Sequence, residues 1–199
     1  MQAARGASLT RDDTTTQHPP SERRKRRLLS LFALVAALGY AADLGTKELA
    51  LARLEPGQAV PLVGDWLSLF LTFNSGAAFS LGTSYTLALT FVAIAAAGVV
   101  LWTVRRLGST GWALGLGFLL AGILGNLTDR LFREPSPFRG HVVDFLRFPD
   151  FPVFNVADIC INIAAALIII QAVRGMRVDG SREGRAHGSV GDTAGGPEQ

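Results

Sequence analysis

The chain has 199 residues, of which 49% are hydrophobic and only 18% are charged, and its mean hydropathy is +0.31. Soluble domains carry about 25% charged residues, so this composition argues against an ordinary soluble protein. The length suits about four membrane spans with short loops. A formal net charge of +3 is too small to indicate a nucleic-acid partner. The single cysteine excludes a disulfide framework and a cysteine-rich metal site, and three widely separated histidines argue against a zinc site.

The two ends of the chain differ in composition from its middle. Residues 1–27 are polar and end in a basic cluster, Arg23, Arg24, Lys25, Arg26 and Arg27. Residues 175–199 are rich in Gly, Arg, Glu and Asp and show no apolar periodicity. Both segments are typical of disordered tails.

Between the tails, the apolar segments predict an all-α membrane domain over residues 28–174. A span needs about 20 apolar residues. The stretch 66–104 contains no charged residue but is too long for one span, and polar and glycine-containing tripeptides interrupt it at 74–76 and 82–84. We therefore predict four transmembrane helices, at about 28–46, 85–104, 107–128 and 153–173.

The distribution of basic residues predicts the orientation of these helices. Of the 19 Lys and Arg residues, 13 lie in the two tails, at Arg174 next to the second tail, or at Arg105 and Arg106, which four spans place on one side. The positive-inside rule then puts both termini in the cytoplasm. A cleavable signal peptide ending near Ala41 is the alternative, but its removal would move Arg105 and Arg106 to the opposite side.

The first outer loop carries a local β pattern. Residues 60–63 and 66–73 are apolar and flank Gly64-Asp65, which is typical of strand, turn and strand. We expect a small extracytoplasmic β-ribbon between helices 1 and 2.

Polar residues interrupt the apolar segments near the predicted outer membrane boundary. Charges inside spans are costly and therefore usually functional. Helical spacing puts Asn126, Asp129 and Arg130 on one face. The polar residues that this topology brings to one layer are Asp43, Asn126, Asp129, Arg130, Asp144, Asn155 and Asp158. We expect a site there.

Structural explanations exist for several of these charges. Asp43 and Lys47 are separated by four residues and can form an interfacial ion pair. Asp129 and Arg130 can form a salt bridge that caps the third span.

The remaining polar residues differ in how well packing explains them. Asn126 and Asn155 can hydrogen-bond between helices, and Asp144 can be a solvated loop acid. Asp158 is hardest to explain in this way, because no basic residue lies within one helical turn of it.

Asp144 and Asp158 are the strongest candidates for chemistry. The 13-residue connection between them is long enough to bring both carboxyl groups together. Two carboxylates in a partly dry site share one proton, which is the arrangement of an aspartic protease. The residues alone leave two alternatives open, a proton-coupled carrier and a membrane adaptor that needs no acid pair.

Five motifs in chain order discriminate between a protease, a carrier and an adaptor. They are Asp43-Leu-Gly-Thr-Lys47, Phe73-Asn-Ser-Gly-Ala-Ala-Phe-Ser80, Gly122-Ile-Leu-Gly-Asn-Leu-Thr-Asp-Arg130, Gly140-His-Val-Val-Asp-Phe145 and Phe151-Pro-Val-Phe-Asn-Val-Ala-Asp158. Together, over about residues 28–174, they resemble the lipoprotein signal peptidase (signal peptidase II) family. Ala121 stands where the family pattern leads us to expect a glycine.

The resemblance implies an aspartyl endopeptidase of the bacterial inner membrane. Such an enzyme removes the signal peptide of a prolipoprotein just before a Cys that carries diacylglycerol. The resemblance implies Asp144 and Asp158 as the catalytic pair and close backbone approach at Gly76, Ala77 and Ala78. The other residues that it implies to bind substrate or support the site are Asn74, Asn126, Arg130, Asn155, Asp43 and Asp129. It implies no metal and no organic cofactor, and one chain that holds every motif is expected to be a monomer surrounded by membrane lipid.

Overall fold

A computed structural model of the chain describes residues 22–76 and 84–182. Its four helices are α1 (Glu22–Arg53), α2 (Ser84–Val104), α3 (Thr110–Phe132) and α4 (Val156–Val173). All four are long and apolar enough to cross a membrane. The prediction of a mainly helical membrane protein with four spans is confirmed.

The helix ends differ from the predicted ones where charged residues continue a helix. α1 begins six residues before the predicted start and includes the basic cluster, because Glu, Arg and Lys are good helix formers and Glu22 stands in the favourable first turn. α3 runs past the predicted end at residue 128 to Phe132, because Asp129, the first charged residue after the apolar segment, is buried inside the protein. The predicted tail segments 1–21 and 183–199 lie outside the described residues.

Helix α3 is the central element and packs against α1, α2 and α4. Small residues allow the helices to approach closely. A Cβ added to Gly122 would lie 2.5 Å from the carbonyl oxygen of Ala157 on α4. Ala121 faces Gly39 on α1, where an added Cβ would lie 2.8 Å from the Ala121 Cβ. Gly39 has no side chain, so α1 and α3 can pack closely here although residue 121 is alanine and not glycine.

A three-stranded antiparallel sheet joins the α1–α2 connection to the α3–α4 connection. Strands β1 (Ala59–Val63) and β2 (Leu67–Asn74) form the predicted ribbon. A third strand, β3 (Val142–Arg147), pairs with β2 and places Asp144 opposite Thr72. Sequence analysis missed β3 because its partner is about 70 residues away and is not joined to it by a short turn. β3 anchors the α3–α4 connection to the ribbon.

Chain direction puts all three strands at one end of the helix bundle. β1 and β2 follow the end of α1, and β3 follows the end of α3. The outer surfaces of the helices expose many large apolar side chains, including Leu38, Phe91, Val99 and Ile169. Such a contiguous apolar surface is characteristic of contact with membrane lipid.

The opposite end of the bundle is closed by a turn after α4. The Gly108 amide donates to the Val178 carbonyl over 2.8 Å, and Trp112 Nε1 donates to the Met176 carbonyl over 2.8 Å. Residues 175–182 therefore fold back onto the α2–α3 connection, whereas the sequence predicted a disordered tail from residue 175.

Candidate active site

The N-cap residue of α4 positions one of the two candidate acids. Asn155 is the N-cap, and its Oδ1 accepts the Asp158 amide over 3.0 Å. Asp158 Oδ2 accepts the Asn155 amide over 3.1 Å. This reciprocal arrangement is a capping box. It holds the Asp158 carboxyl group at the N-terminal end of α4 and satisfies two amides that would otherwise be unpaired.

The second candidate acid, Asp144, comes from the middle of β3. Its side chain is 2% exposed. Asn74, at the end of β2, donates from Nδ2 to Asp144 Oδ2 over 2.9 Å. Asn155 donates from Nδ2 to Asp144 Oδ1 over 2.6 Å. The same asparagine therefore bonds to Asp144 and Asp158, which brings the two acids into one hydrogen-bonded group.

Asn126 on α3 completes this group. Its Nδ2 donates to Asp158 Oδ1 over 2.9 Å, and its Oδ1 accepts from Asn155 Nδ2 over 3.1 Å. Side chains from α3, α4, β2 and β3 thus meet at the end of the bundle that carries the sheet. The convergence of polar groups that the sequence predicted is present in the fold.

Burial changes the protonation of Asp144. Loss of solvent contact raises the pKa of Asp144 to about 6, and the nearby negative charge of Asp158 acts in the same direction. Hydrogen bonds from Asn74 and Asn155 and the charge of Lys47 oppose this rise in the pKa. A carboxyl group with such a pKa can hold a proton or release it near neutral pH, as general acid–base chemistry requires.

A buried ion cluster lies beneath the acids. Asp43, Lys47 and Asp129 are each 0% exposed. Lys47 Nζ lies 2.8 Å from Asp43 Oδ2 and 2.8 Å from Asp129 Oδ2. The ion pair between Asp43 and Lys47 that the spacing allowed is therefore present, but Lys47 also joins α1 to Asp129 on α3.

Each acid of the cluster also binds a backbone amide on another element. Asp43 Oδ1 accepts the Ala157 amide over 2.7 Å, and Asp129 Oδ2 accepts the Val143 amide over 3.2 Å. Ala157 immediately precedes Asp158, and Val143 immediately precedes Asp144. The cluster therefore fixes the backbone of α4 and β3 next to both candidate acids.

The salt bridge between Asp129 and Arg130, the structural alternative for these two charges, is absent among residues 22–76 and 84–182. Asp129 pairs with Lys47 and with Arg133, whose Nε donates to Asp129 Oδ1. Arg133 also binds Glu48 on α1 over 2.7 Å. Neighbours in a helix point about 100° apart, whereas residues four apart share a face, so Arg133 reaches Asp129 and Arg130 does not.

Arg130 instead makes few hydrogen bonds to the part of the chain that the structure describes. Its Nη1 makes only a long bond of 3.4 Å to the Asn126 carbonyl, and its Nε is buried without a hydrogen-bond partner among residues 22–76 and 84–182. A Cβ placed on Gly76 would lie 3.9 Å from Arg130 Nη2. The guanidinium therefore borders the loop that follows β2.

Gly76 has a local structural requirement. Its φ is 83°, a conformation that favours glycine. Its amide donates to Asn74 Oδ1 over 2.8 Å, which helps to orient the side chain that donates to Asp144. Ala77 and Ala78 lie outside the described residues.

Arg133 and Glu48 are the participants that sequence analysis missed, and Lys47 was considered there only as an ion-pair partner of Asp43. The four-residue spacing from Asp129 to Arg133 was a signal that could have found one of them. Within the described part of the chain, no three His, Cys, Asp or Glu side chains are arranged to hold a metal ion.

Comparison with known proteins identifies the family of this chain. The family described as Signal peptidase (SPase) II matches residues 35–174. A lipoprotein signal peptidase of Mycobacterium avium is 48% identical over 153 residues, which are 77% of this chain and 84% of that protein. A lipoprotein signal peptidase of Rhodococcus jostii is 47% identical over 87% of each chain.

Two solved structures, each described as a bacterial membrane enzyme, share the fold. One has a TM-score of 0.66 at 24% identity and covers 73% of this chain and 94% of its own. The other has a TM-score of 0.61 at 24% identity, with 72% and 88% covered. The match to the family over most of the chain, and relatives of nearly half identical sequence, show that this chain is a membrane protease of the signal peptidase II family.

Proposed function

We propose that this chain is an aspartyl endopeptidase that removes the signal peptide from diacylglyceryl-modified prolipoproteins, with Asp144 and Asp158 as its catalytic pair. The observation that carries the proposal is the position of Asn155, which donates to Asp144 Oδ1 and caps α4 together with Asp158. A buried and a partly buried acid held by one asparagine form a unit that can share a single proton.

The reaction needs one ionised and one protonated carboxyl group. The ionised acid takes a proton from water, and the water oxygen attacks the carbonyl carbon of the scissile bond. The protonated acid gives its proton to the carbonyl oxygen. When the tetrahedral intermediate collapses, the C–N bond breaks and the amide nitrogen leaves with a proton returned by the pair. The raised pKa of Asp144 supports a site that retains this proton near neutral pH.

Residues around the acids have roles in binding or support. The donors of Arg130 that find no partner among residues 22–76 and 84–182 suit a carbonyl oxygen of the substrate, because a guanidinium can only donate. Asn74, Asn126 and Asn155 orient the carboxyl groups through the bonds described above. Gly76 allows the substrate backbone to approach the loop that follows β2. Asp43 and Asp129 support the backbone around the pair.

The membrane placement follows from charge. Of the 19 basic residues, 13 lie before residue 28, at Arg105 and Arg106, or from residue 174 onward. Those among them that the structure describes lie at the end of the bundle opposite the sheet. We assign that end to the cytoplasm, which places both termini there and the site near the extracytoplasmic face of the inner membrane. A scissile bond beside a lipid-modified Cys lies at this boundary. Every residue of the site comes from one chain, so we expect an active monomer in contact with membrane lipid.

The test uses the full chain in lipid nanodiscs and a diacylglyceryl-modified prolipoprotein. We expect cleavage before the lipid-modified Cys, and loss of activity by at least about 100-fold in Asp144→Asn and Asp158→Asn. Asp150→Asn is the matched control because Asp150 is exposed in the β3–α4 connection, and it should retain full activity. The unmodified prolipoprotein tests the requirement for lipid.

The experiment tests the proposed activity and the assignment of the catalytic pair separately. No cleavage by wild type would contradict the proposed activity and favour a transport or adaptor role. Full activity in a folded Asp144→Asn or Asp158→Asn variant would contradict the assignment of the pair.

A further inference from the structure

The side-chain amide of Asn126 must point in one direction for the pair to be held as described. Its Nδ2 faces Asp158 Oδ1 and its Oδ1 faces Asn155 Nδ2. If the amide were turned over, its oxygen would face a carboxylate and its nitrogen would face another amide nitrogen. Both contacts would then be unfavourable. The contact with Asp158 favours this orientation only while Asp158 is ionised, because a protonated carboxyl group can also donate to an amide oxygen. A donor that does not change with the protonation of the pair would keep Asn126 in one orientation.

Lys47 is placed to do this. Its Nζ donates to Asn126 Oδ1 over 3.1 Å. An ammonium group has three donors and no acceptor, so only the oxygen of Asn126 can face it. A neutral or reversible partner, such as a hydroxyl group, would accept either orientation.

We propose that Lys47 is a positioning residue for the peptidase reaction, which fixes the amide of Asn126 so that it donates to Asp158 and accepts from Asn155. The inference rests on the proposed roles of Asp144 and Asp158. A directed chain of hydrogen bonds begins at Lys47, passes through Asn126 and Asn155, and ends at both acids.

The burial of Lys47 supports this role over simple ion pairing. Lys47 is completely buried, and its ammonium group lies between Asp43, Asp129 and Asn126. The two negative charges of Asp43 and Asp129 are already balanced by the positive charges of Lys47 and Arg133. The ammonium group also donates a hydrogen bond to a neutral amide oxygen, Asn126 Oδ1, which a requirement for charge balance alone does not explain.

The charged groups around the pair come from four elements. α1 contributes Asp43, Lys47 and Glu48, and α3 contributes Asp129, Arg130 and Arg133. β3 and α4 contribute the two acids themselves. Lys47 is the cation that lowers the pKa of Asp144 by its charge. Its removal should therefore raise that pKa and move the alkaline limb of the activity profile to higher pH.

The experiment removes Lys47 without leaving an unbalanced buried charge. Lys47→Met is combined with Asp43→Asn, which removes one charge of each sign, and Asp43→Asn alone is the reference. In folded enzyme in nanodiscs we expect kcat to fall by about 100-fold and KM to change by less than about threefold, since Lys47 is buried away from substrate. We also expect the alkaline limb to move to higher pH.

A double-mutant cycle tests whether Lys47 acts through Asn126. Asn126→Ala is made in the same Asp43→Asn background, with and without Lys47→Met. If Lys47 acts by orienting Asn126, its loss adds little once Asn126 is absent, and the two effects on kcat do not multiply.

Three results would overturn the proposal. The first is a folded Lys47→Met/Asp43→Asn enzyme with kcat within about threefold of the reference. The second is multiplication of the two effects in the cycle. The third is failure of the charge-balanced variant to fold, which would make Lys47 a folding element. Inactivity of wild type would instead contradict the proposed function, so the two failures are distinguishable.

Discussion

Asn155 donates from Nδ2 to Asp144 Oδ1 over 2.6 Å while its own Oδ1 caps the helix that carries Asp158. One side chain therefore performs two separable tasks. Its oxygen stabilises the start of α4, and its nitrogen holds Asp144 on β3. A helix cap and a candidate catalytic pair share the same residue.

This division of tasks predicts different effects for two substitutions at position 155. Asn155→Ala removes both tasks and should cost about 1 kcal/mol of stability as well as activity. Asn155→Ser keeps an oxygen suited to the cap but has no Nδ2, so it should retain stability and lose activity. Thermal unfolding and cleavage assays measure the two effects separately. Equal activity in Asn155→Ser and wild type would show that the bond to Asp144 is not required.

The raised pKa of Asp144 predicts how activity depends on pH. Because burial raises the pKa to about 6, Asp144 keeps its proton as pH rises past the usual carboxyl range and releases it near pH 6. The pair titrates as a unit, so kcat/KM should follow a bell-shaped profile that falls on the alkaline side at or above about pH 6. Activity that stays constant from mildly acidic to alkaline pH would contradict a shared proton.

Arg130 and Arg133 are expected to behave differently although they are close in sequence. Arg130→Met removes a guanidinium that makes few hydrogen bonds within residues 22–76 and 84–182, so it should raise KM by about tenfold or more and leave stability nearly unchanged. Arg133→Met removes a partner of Asp129, so it should lower stability by about 1–3 kcal/mol and leave KM unchanged. Peptidase kinetics and thermal unfolding of both variants provide the comparison. A loss of stability in Arg130→Met would contradict this prediction and favour a stabilising salt bridge between Arg130 and Asp129.

Gly125 tests the buried ion cluster. A Cβ added there would lie within van der Waals overlap of the Asp43 carboxyl group, at 2.4 Å from Oδ2. Gly125→Ala should therefore displace Asp43 from Lys47 and cost about 1–3 kcal/mol of stability.

Gly98→Ala is the matched control for Gly125→Ala. Gly98 is exposed on α2, and a Cβ added there meets no atom within 4 Å. Alanine is favoured over glycine in a helix by up to about 1 kcal/mol, so this variant should be as stable as wild type or slightly more stable. A similar loss of stability in both variants would indicate that the ion cluster is not the cause.

Residue pattern alone was enough to predict the spans and the ribbon. A run of apolar residues long enough to cross a bilayer has few other stable forms, and a turn between two short apolar runs forms by local contacts. The polar residues that converge in the site were also visible, because helices of known direction bring their outer ends to one layer. The partners of those residues were not.

The amino-acid sequence by itself determined four membrane spans, a two-stranded ribbon and the motifs of the signal peptidase II family. Only the tertiary structure decided that β3 joins the ribbon, that Asp129 pairs with Lys47 and Arg133, and that Lys47 reaches Asn126. Lys47 and Asn126 are 79 residues apart, and Asp43 and Ala157 are 114 apart. Hydropathy and helical spacing describe each segment separately, whereas these bonds depend on how α1, α3 and α4 pack against one another.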